Sequence, residues 1–262
     1  FSFYEWALEQ MLEGMIQKEQ GEHIIKSLES ILMGGIHDHL RGGIHRHSLD
    51  DTWTVPHFEK MLYDQAGFLK VLSKMSLLYQ SPLVFDALIN TLDYIKTELT
   101  SKDGYFFSGQ SSDSEGVEGL YFSFTEEEFE DAIAKSDDLE LTGQIDEIKK
   151  WFCITKTGDL PSNLNIIRLN SEQKDSLFSK ETWTLIRKVK KHLLEIRKTR
   201  IPPTTDNKGV ASWNFMMLSA LCDVMQFCQV DAIRKAAMDI FNETLPTMYN
   251  NFIKSRDNKK MS

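Results

Sequence analysis

Cysteine is scarce in this chain. Three in 262 residues, Cys153, Cys222 and Cys228, form no C-x-x-C pair and leave an odd count. A disulfide framework and a zinc ribbon are therefore excluded, and a reducing compartment fits. Also missing is any apolar run near the ~20 residues that cross a bilayer, and the first residues lack the basic-then-apolar order of a signal peptide. The expectation is a soluble, cytoplasmic protein with no membrane partner. Positive charge is in deficit as well, with 30 Lys and Arg against 39 Asp and Glu and a formal net charge of -9. Nucleic-acid binding draws on clustered Lys and Arg, so that partner class is excluded, and the densest basic stretch, 187–200, is read as a solvated helix face.

What is present supports a folded domain. Apolar residues make up 41% and charged ones 26%, enough for a real core. The chain opens inside an amphipathic pattern, Phe1-Ser-Phe-Tyr-Glu-Trp-Ala-Leu, and stops in the polar run 254–262, so both ends are expected to be cuts within a longer protein. Helical spacing marks a first helix through Trp6, Leu8, Met11, Leu12, Met15 and Ile16 and a second through Ile24, Leu28, Ile31 and Leu32. After a long loop the pattern resumes at Phe58, Met61, Leu62, Ala66 and Leu69, and again beyond Ser81-Pro82. Residues 105–124 predict one or two short strands, and Leu164 to Leu169 a brief one. Thr125 followed by three glutamates has the form of a capping box. Helices are expected over 138–152, 182–197, 213–226 and 232–252. Antiparallel hairpins in series suit an α/α toroid or a helical solenoid.

The loop over 34–57 holds the chemistry-bearing residues. It contains four glycines and five histidines, with Arg41, Arg46, Asp38, Asp50 and Asp51 between them and Trp53 near its end. Glycine pairs let backbone approach a ligand, and histidine titrates near neutrality. Arg41 and Arg46 suit a carboxylate, phosphate or enolate. The bland alternative is a polar loop stapled by its own Asp–His and Arg–Asp hydrogen bonds. His37, His39, His45 and His47 at i, i+2 spacing with nearby carboxylates have the donor chemistry of zinc or iron, yet the spacing matches no standard signature, so no metal and no cofactor are expected. In Pro56-His57-Phe-Glu-Lys60-Met-Leu-Tyr63-Asp64-Gln65, the spacing of His57, Lys60 and Asp64 predicts one helix face.

Gly34-Gly-Ile-x-Asp38-His39, Gly42-Gly-x-His45-Arg46, the Pro56 to Gln65 segment, Asp113-Ser-Glu115-Gly-x-Glu118-Gly, Asn165-Ile-Ile and Arg200-x-Pro-Pro-x-x-Asp206-Asn207-Lys208 leading to Ser212-Trp213-Asn214 resemble the YyaL family, spermatogenesis-associated in animals. The resemblance covers essentially the whole chain. It implies an all-α fold, an (α/α)6 toroid of six-hairpin glycosidase type with short β-strands in the inter-helix loops. Residues 1–262 would be a partial barrel, without the family's thioredoxin-like domain, which the full-length protein is expected to carry. Three positions depart from the family pattern: Asn207 replaces an aspartate and removes one acid or base, His47 replaces a tyrosine, and Phe215 replaces a glycine.

The resemblance extends to N-acylglucosamine 2-epimerases, which implies a carbohydrate ligand and proton abstraction beside a sugar carbonyl. That chemistry needs two acid/base groups across a cavity. His45 and His57 are the candidates, with Arg46 or Lys60 on the enolate oxygen and Trp53 or Trp213 stacking on the ring. Substrate contacts are expected from His37, Asp38, His39, Arg41, Tyr63, Gln65, Glu118, Asp206 and Lys208. Glycoside hydrolysis would use a carboxyl pair instead, drawn from Asp113, Glu115, Glu118, Asp50 and Asp51. A third reading is a non-catalytic carbohydrate-binding or protein-interaction module that keeps a degenerate cleft.

Overall fold

A computed structural model describes residues 1–254, so most of the polar run at the end, 255–262, lies outside the described residues. Three helical hairpins form an arc. They are α1 (Ser2–Leu12) with α2 (Lys18–Met33), α3 (Leu62–Leu78) with α4 (Pro82–Tyr94), and, after a block of shorter helices, α10 (Ala211–Phe227) with α11 (Asp231–Met248). Both α1 and α10 pack on α3, while α11 packs on α4 and α10. The inner helices α3 and α10 run in the same direction: Tyr63 and Trp213 meet near their N-termini, rings 4.9 Å apart, and Lys74 pairs with Asp223 at 2.7 Å toward their other ends. This repeated placement of inner and outer helices is that of an all-α toroid.

Local sequence sets the helix ends. Ser81 caps α4 through the Leu83 N–H with Pro82 at the first helical position, and Thr125 with Glu128 closes a full capping box. Gly14, in the left-handed region, follows the end of α1, so Met15 and Ile16 fall outside the helix. Between α4 and α10 lie α5 (Glu126–Ala134), α6 (Leu139–Thr142), α7 (Ile145–Trp151), α8 (Lys174–Leu177) and the long α9 (Lys180–Arg197). The helix expected over 138–152 is thus split at Gly143, and the strand expected over 164–169 is only two residues long, β8 at Asn165–Ile166.

The helical pattern expected from Phe58 starts four residues later. His57 lies in β2 (Pro56–His57), which pairs with β1 (His47–Ser48), and Lys60 lies in β3 (Lys60–Met61). β3 pairs with β4 (Gly109–Gln110), which pairs in turn with β9 (Thr205–Asp206). His57, Lys60 and Asp64 therefore share no helix face. The three-stranded ribbon draws the loops 34–61, 100–125 and 198–210 to one end of the arc, above the N-termini of α3 and α10. The remaining strands are β5 (Asp113–Ser114) with β6 (Val117–Glu118), and β7 (Ser123–Phe124) with β8.

One buried cluster ties this end to the helices. Asp38 takes both Arg197 guanidinium nitrogens at 2.9 and 2.8 Å and the Lys60 ammonium at 2.6 Å, and its Oδ1 also accepts the N–H groups of Leu40 and Arg41. Arg197 and Lys60 are each 1% exposed. Replacing Asp38 by Ala strands two buried cations, and breaking a buried pair in this way costs about 3–5 kcal/mol. Urea unfolding of Asp38→Ala should show at least that loss; a change below about 1 kcal/mol would remove Asp38 from this role.

Candidate functional site

The residues singled out in the sequence separate into a buried layer and an open rim. In the buried layer His37 Nδ1 and His39 Nε2 meet the carbonyls of Leu32 and Gly34, both at 3.0 Å, with the two rings 4.6 Å apart. His45 Nδ1 meets the Phe58 carbonyl at 2.9 Å, and its ring lies edge-on to Phe58 and Phe122. Burial, which penalises the imidazolium, lowers His37 and His45 to about 3 and His39 well below its ordinary value. Burial thus favours the neutral form of all three. For Asp38, burial pushes upward but the Arg197 and Lys60 cations outweigh it and hold the carboxyl well below the usual range. Burial brings Lys60 down to about 8 against the pull of Asp38.

The other buried residues staple the loop. Gln65 receives the Ile44 N–H at 2.8 Å and donates to its carbonyl at 2.7 Å. Arg41 is held by Asp93 and Glu98 on the α4 side. The glycine pairs serve the chain itself rather than a ligand: a Cβ on Gly35 would overlap the Thr54 carbonyl, and Gly42 and Gly43, both at positive φ, lie against Asn90 and against Gln65 with Tyr94. Asp50 accepts three backbone N–H groups of its own turn, which also carries the exposed Asp51 and the half-buried Trp53, the latter at φ 61 and packed against the core.

The rim is different. His57 Nδ1 lies 2.6 Å from Glu118 Oε1, and its Nε2 is 3.8 Å from Glu59. Glu59 holds Arg46 at 2.7 Å. The His47 ring lies 5.2 Å from that of His57. Arg46 reaches toward Tyr63 and Asp64, whose ionisation it affects, and Tyr63 meets Trp213 edge-to-face. A continuous polar run thus leads from Glu118 to Asp64, beside two half-buried aromatic rings. Burial raises the Asp64 carboxyl to about 6, with Arg46 opposing.

Other expected residues stand apart from this run. Asp113 accepts from Ser111, and Glu115 occupies the exposed turn between β5 and β6 at φ 55. Asp206 sits on the same end of the arc through β9 and pairs with Lys208 at 3.3 Å, but the Lys208 side chain is 78% exposed and, among the described residues, no hydrogen bond or ion pair joins it to the 34–65 segment. Sequence reasoning missed Glu59 and left Asp64 without a role. The signal was the change from extended chain to helix at Met61, which turns Lys60 inward and Glu59 to the rim and leaves Asp64 half-buried.

No family model matches the chain. It is similar to spermatogenesis-associated protein 20 of Homo sapiens, 29% identical over 244 residues, which is 84% of this chain and 30% of that protein. The Mus musculus protein of the same name is 28% identical over 245 residues, again 84% and 30%. An uncharacterized Caenorhabditis elegans protein is 28% identical over 223 residues, 77% of this chain and 30% of its own length. The chain therefore spans about 30% of the length of the relatives it matches.

The buried histidines set a pH dependence. Their folded values are lowered, so below about pH 6.5 the unfolded chain takes up protons that the folded one refuses, and stability present above that pH is lost as pH falls toward 3. Each such histidine costs about 1.4 kcal/mol per pH unit in this window. Asp64, raised, acts in the opposite sense between 3.8 and about 6 and softens the fall. Denaturant unfolding from pH 7 to 5 should show the decline, and His45→Gln should make it shallower. Flat stability across that range would contradict the neutral assignment.

Proposed function

We propose that the rim site binds a small carbohydrate and moves a proton beside its carbonyl, as sugar 2-epimerases do, with His57 as the base. The observation that carries this reading is the His57–Glu118 pair at 2.6 Å, open at the rim and next to Arg46. A carboxylate on Nδ1 fixes the tautomer that presents Nε2 as the base and stabilises the imidazolium once the proton arrives. The electron pair released from the C–H bond moves onto the carbonyl oxygen, and Arg46, which shares Glu59 with His57, is the cation assigned to receive it, exchanging its Glu59 contact for the enolate. Tyr63 and Trp213 offer ring surface to the apolar C–H faces of a sugar. His45 is left out of the reaction because it is buried and neutral, with Nδ1 committed to the Phe58 carbonyl.

A binding module without turnover is the second reading. It draws on Asn207, which stands exposed where the resembling family has an aspartate. Proton exchange separates the two. N-acetylglucosamine, N-acetylmannosamine and cellobiose incubated with the protein in deuterated water should gain deuterium at C2, followed by NMR. His57→Gln and Glu118→Gln should slow that gain by about 10²–10⁴-fold and about 10-fold or more, respectively. Saturable binding with no deuterium gain would favour the binding module, and undiminished exchange in His57→Gln would remove His57 as the base.

A further inference from the structure

Helix α9 turns one face toward α4 across a cavity of about 440 Å³ that no step of the proposed reaction uses. Arg187, Lys190, Lys191 and Leu194, at i, i+3, i+4 and i+7, line it from α9, and Asp86 and Asn90 of α4 close the far side with Leu40 of the loop. The basic stretch expected as a solvated helix face thus fronts a cavity. Lys190 is buried and ion-paired with Asp86, and Arg187 Nε lies 3.6 Å from the same carboxylate. Lys191 is exposed and makes no ion pair among the described residues, while Glu195, one turn on, is held by Lys198 at 2.8 Å. Lys188 borders the cavity too, but its ammonium is taken by Asp138 at 3.0 Å and Glu140 at 2.8 Å. Three cations are left facing one carboxylate, in a chain whose formal charge is -9. Like charges at i, i+4, as Arg187 and Lys191 are, destabilise a helix, so the arrangement works against α9 unless an anion sits between them.

We infer that this cavity binds the phosphate group of a small phosphorylated molecule, with Arg187 and Lys191 on the phosphate oxygens. A phosphate monoester carries about −1.5 to −2 charge at neutral pH. That is close to the surplus of two positive charges that three cations leave over Asp86, whereas a carboxylate ligand would leave one of them unmatched. Arg187 meets Asp86 through Nε, so its two terminal nitrogens are free for a two-point contact, and Lys191 adds a point charge one turn away. Asn90 is half-buried on the facing helix, and its side-chain amide makes no hydrogen bond among the described residues, which leaves it free to donate to a further oxygen. The ligand is small because the positive surface does not continue: Asp138, Glu140 and Glu195 border it on α9's flanks, where a polyanion would need more cations. Leu40 and Leu194 offer apolar surface to the organic part, and the volume is that of a small-molecule site.

The test is a calorimetric titration of the 262-residue chain with glycerol 3-phosphate, with inorganic phosphate and glycerol as the other arms. Glycerol 3-phosphate should saturate one site and glycerol none, and the Asn90 side-chain amide resonances should shift along the same curve. Arg187→Gln and Lys191→Gln should each weaken binding about tenfold or more, the effect of losing a hydrogen bond to a charged group. Their thermal midpoints should stay near that of the parent, since both side chains are exposed. Lys188→Gln should leave the affinity within about twofold, because its charge is spent on Asp138 and Glu140. Tighter binding of glycerol 3-phosphate than of inorganic phosphate would support the organic subsite, and equal binding would overturn that part and assign the cavity to free phosphate. Saturation by neither anion, or a loss in Lys188→Gln equal to that in Lys191→Gln, would overturn the site itself.

Discussion

Everything at the loop end of this molecule depends on the buried carboxylate of Asp38. Two cations from distant parts of the chain converge on it, Arg197 from the last turn of α9 and Lys60 from the strand that precedes α3. The same carboxylate caps the backbone of Leu40 and Arg41, so one side chain fixes the loop, the ribbon and the outer block together. Lys60 also donates to the Gly42 carbonyl and lies 4.4 Å from the Tyr94 ring centroid, which leaves its ammonium enclosed on all sides. Buried ion clusters of this kind add little net stability over an apolar core, but they are costly to break and they specify one arrangement. Here the specified arrangement is the rim.

Given that anchor, the rim follows from chain geometry. β3, β4 and β9 are each two residues long, yet together they hold three loops in register above the inner helices. Extended chain alternates its side chains, so Lys60 turns down to Asp38 while Glu59 turns out to Arg46 and His57 turns out to Glu118. The helix begins at Leu62 and brings Tyr63 against Trp213 and Asp64 toward Arg46. Asn214 secures the other wall, since its amide both accepts from and donates to the Phe106 backbone. Site and scaffold are therefore built from adjacent residues of the same segments, one facing inward and the next outward.

Much of the fold was legible in the sequence. Helical periodicity, Ser81-Pro82 and the Thr125 capping box are local signals, and they place the hairpins to within a few residues. The cluster of chemistry-bearing residues was legible as a region, though not residue by residue. Histidines at i, i+2 look alike in sequence, but His45 is enclosed by Phe58 and Phe122, residues far along the chain from each other, while His47 faces out beside His57. Glycine pairs that suggest a ligand turned out to admit Thr54 and Asn90. Glu118 could not be assigned to His57 from spacing, because the contact spans 61 residues and depends on the β5–β6 hairpin folding back. Burial and long-range pairing decided these roles, and neither is a local property of sequence.

The loop histidines divide into a buried set, His37, His39 and His45, and an open pair at the rim, His47 and His57. Nitrogen-15 NMR of the imidazole rings tests it most directly. His37, His39 and His45 should keep the neutral signature with a single fixed tautomer from pH 7.5 to 5, and addition of N-acetylglucosamine should move the resonances of His57 and His47 while leaving those three in place. Protonation of His45 within that range, or a response to the sugar confined to the buried three, would contradict the account.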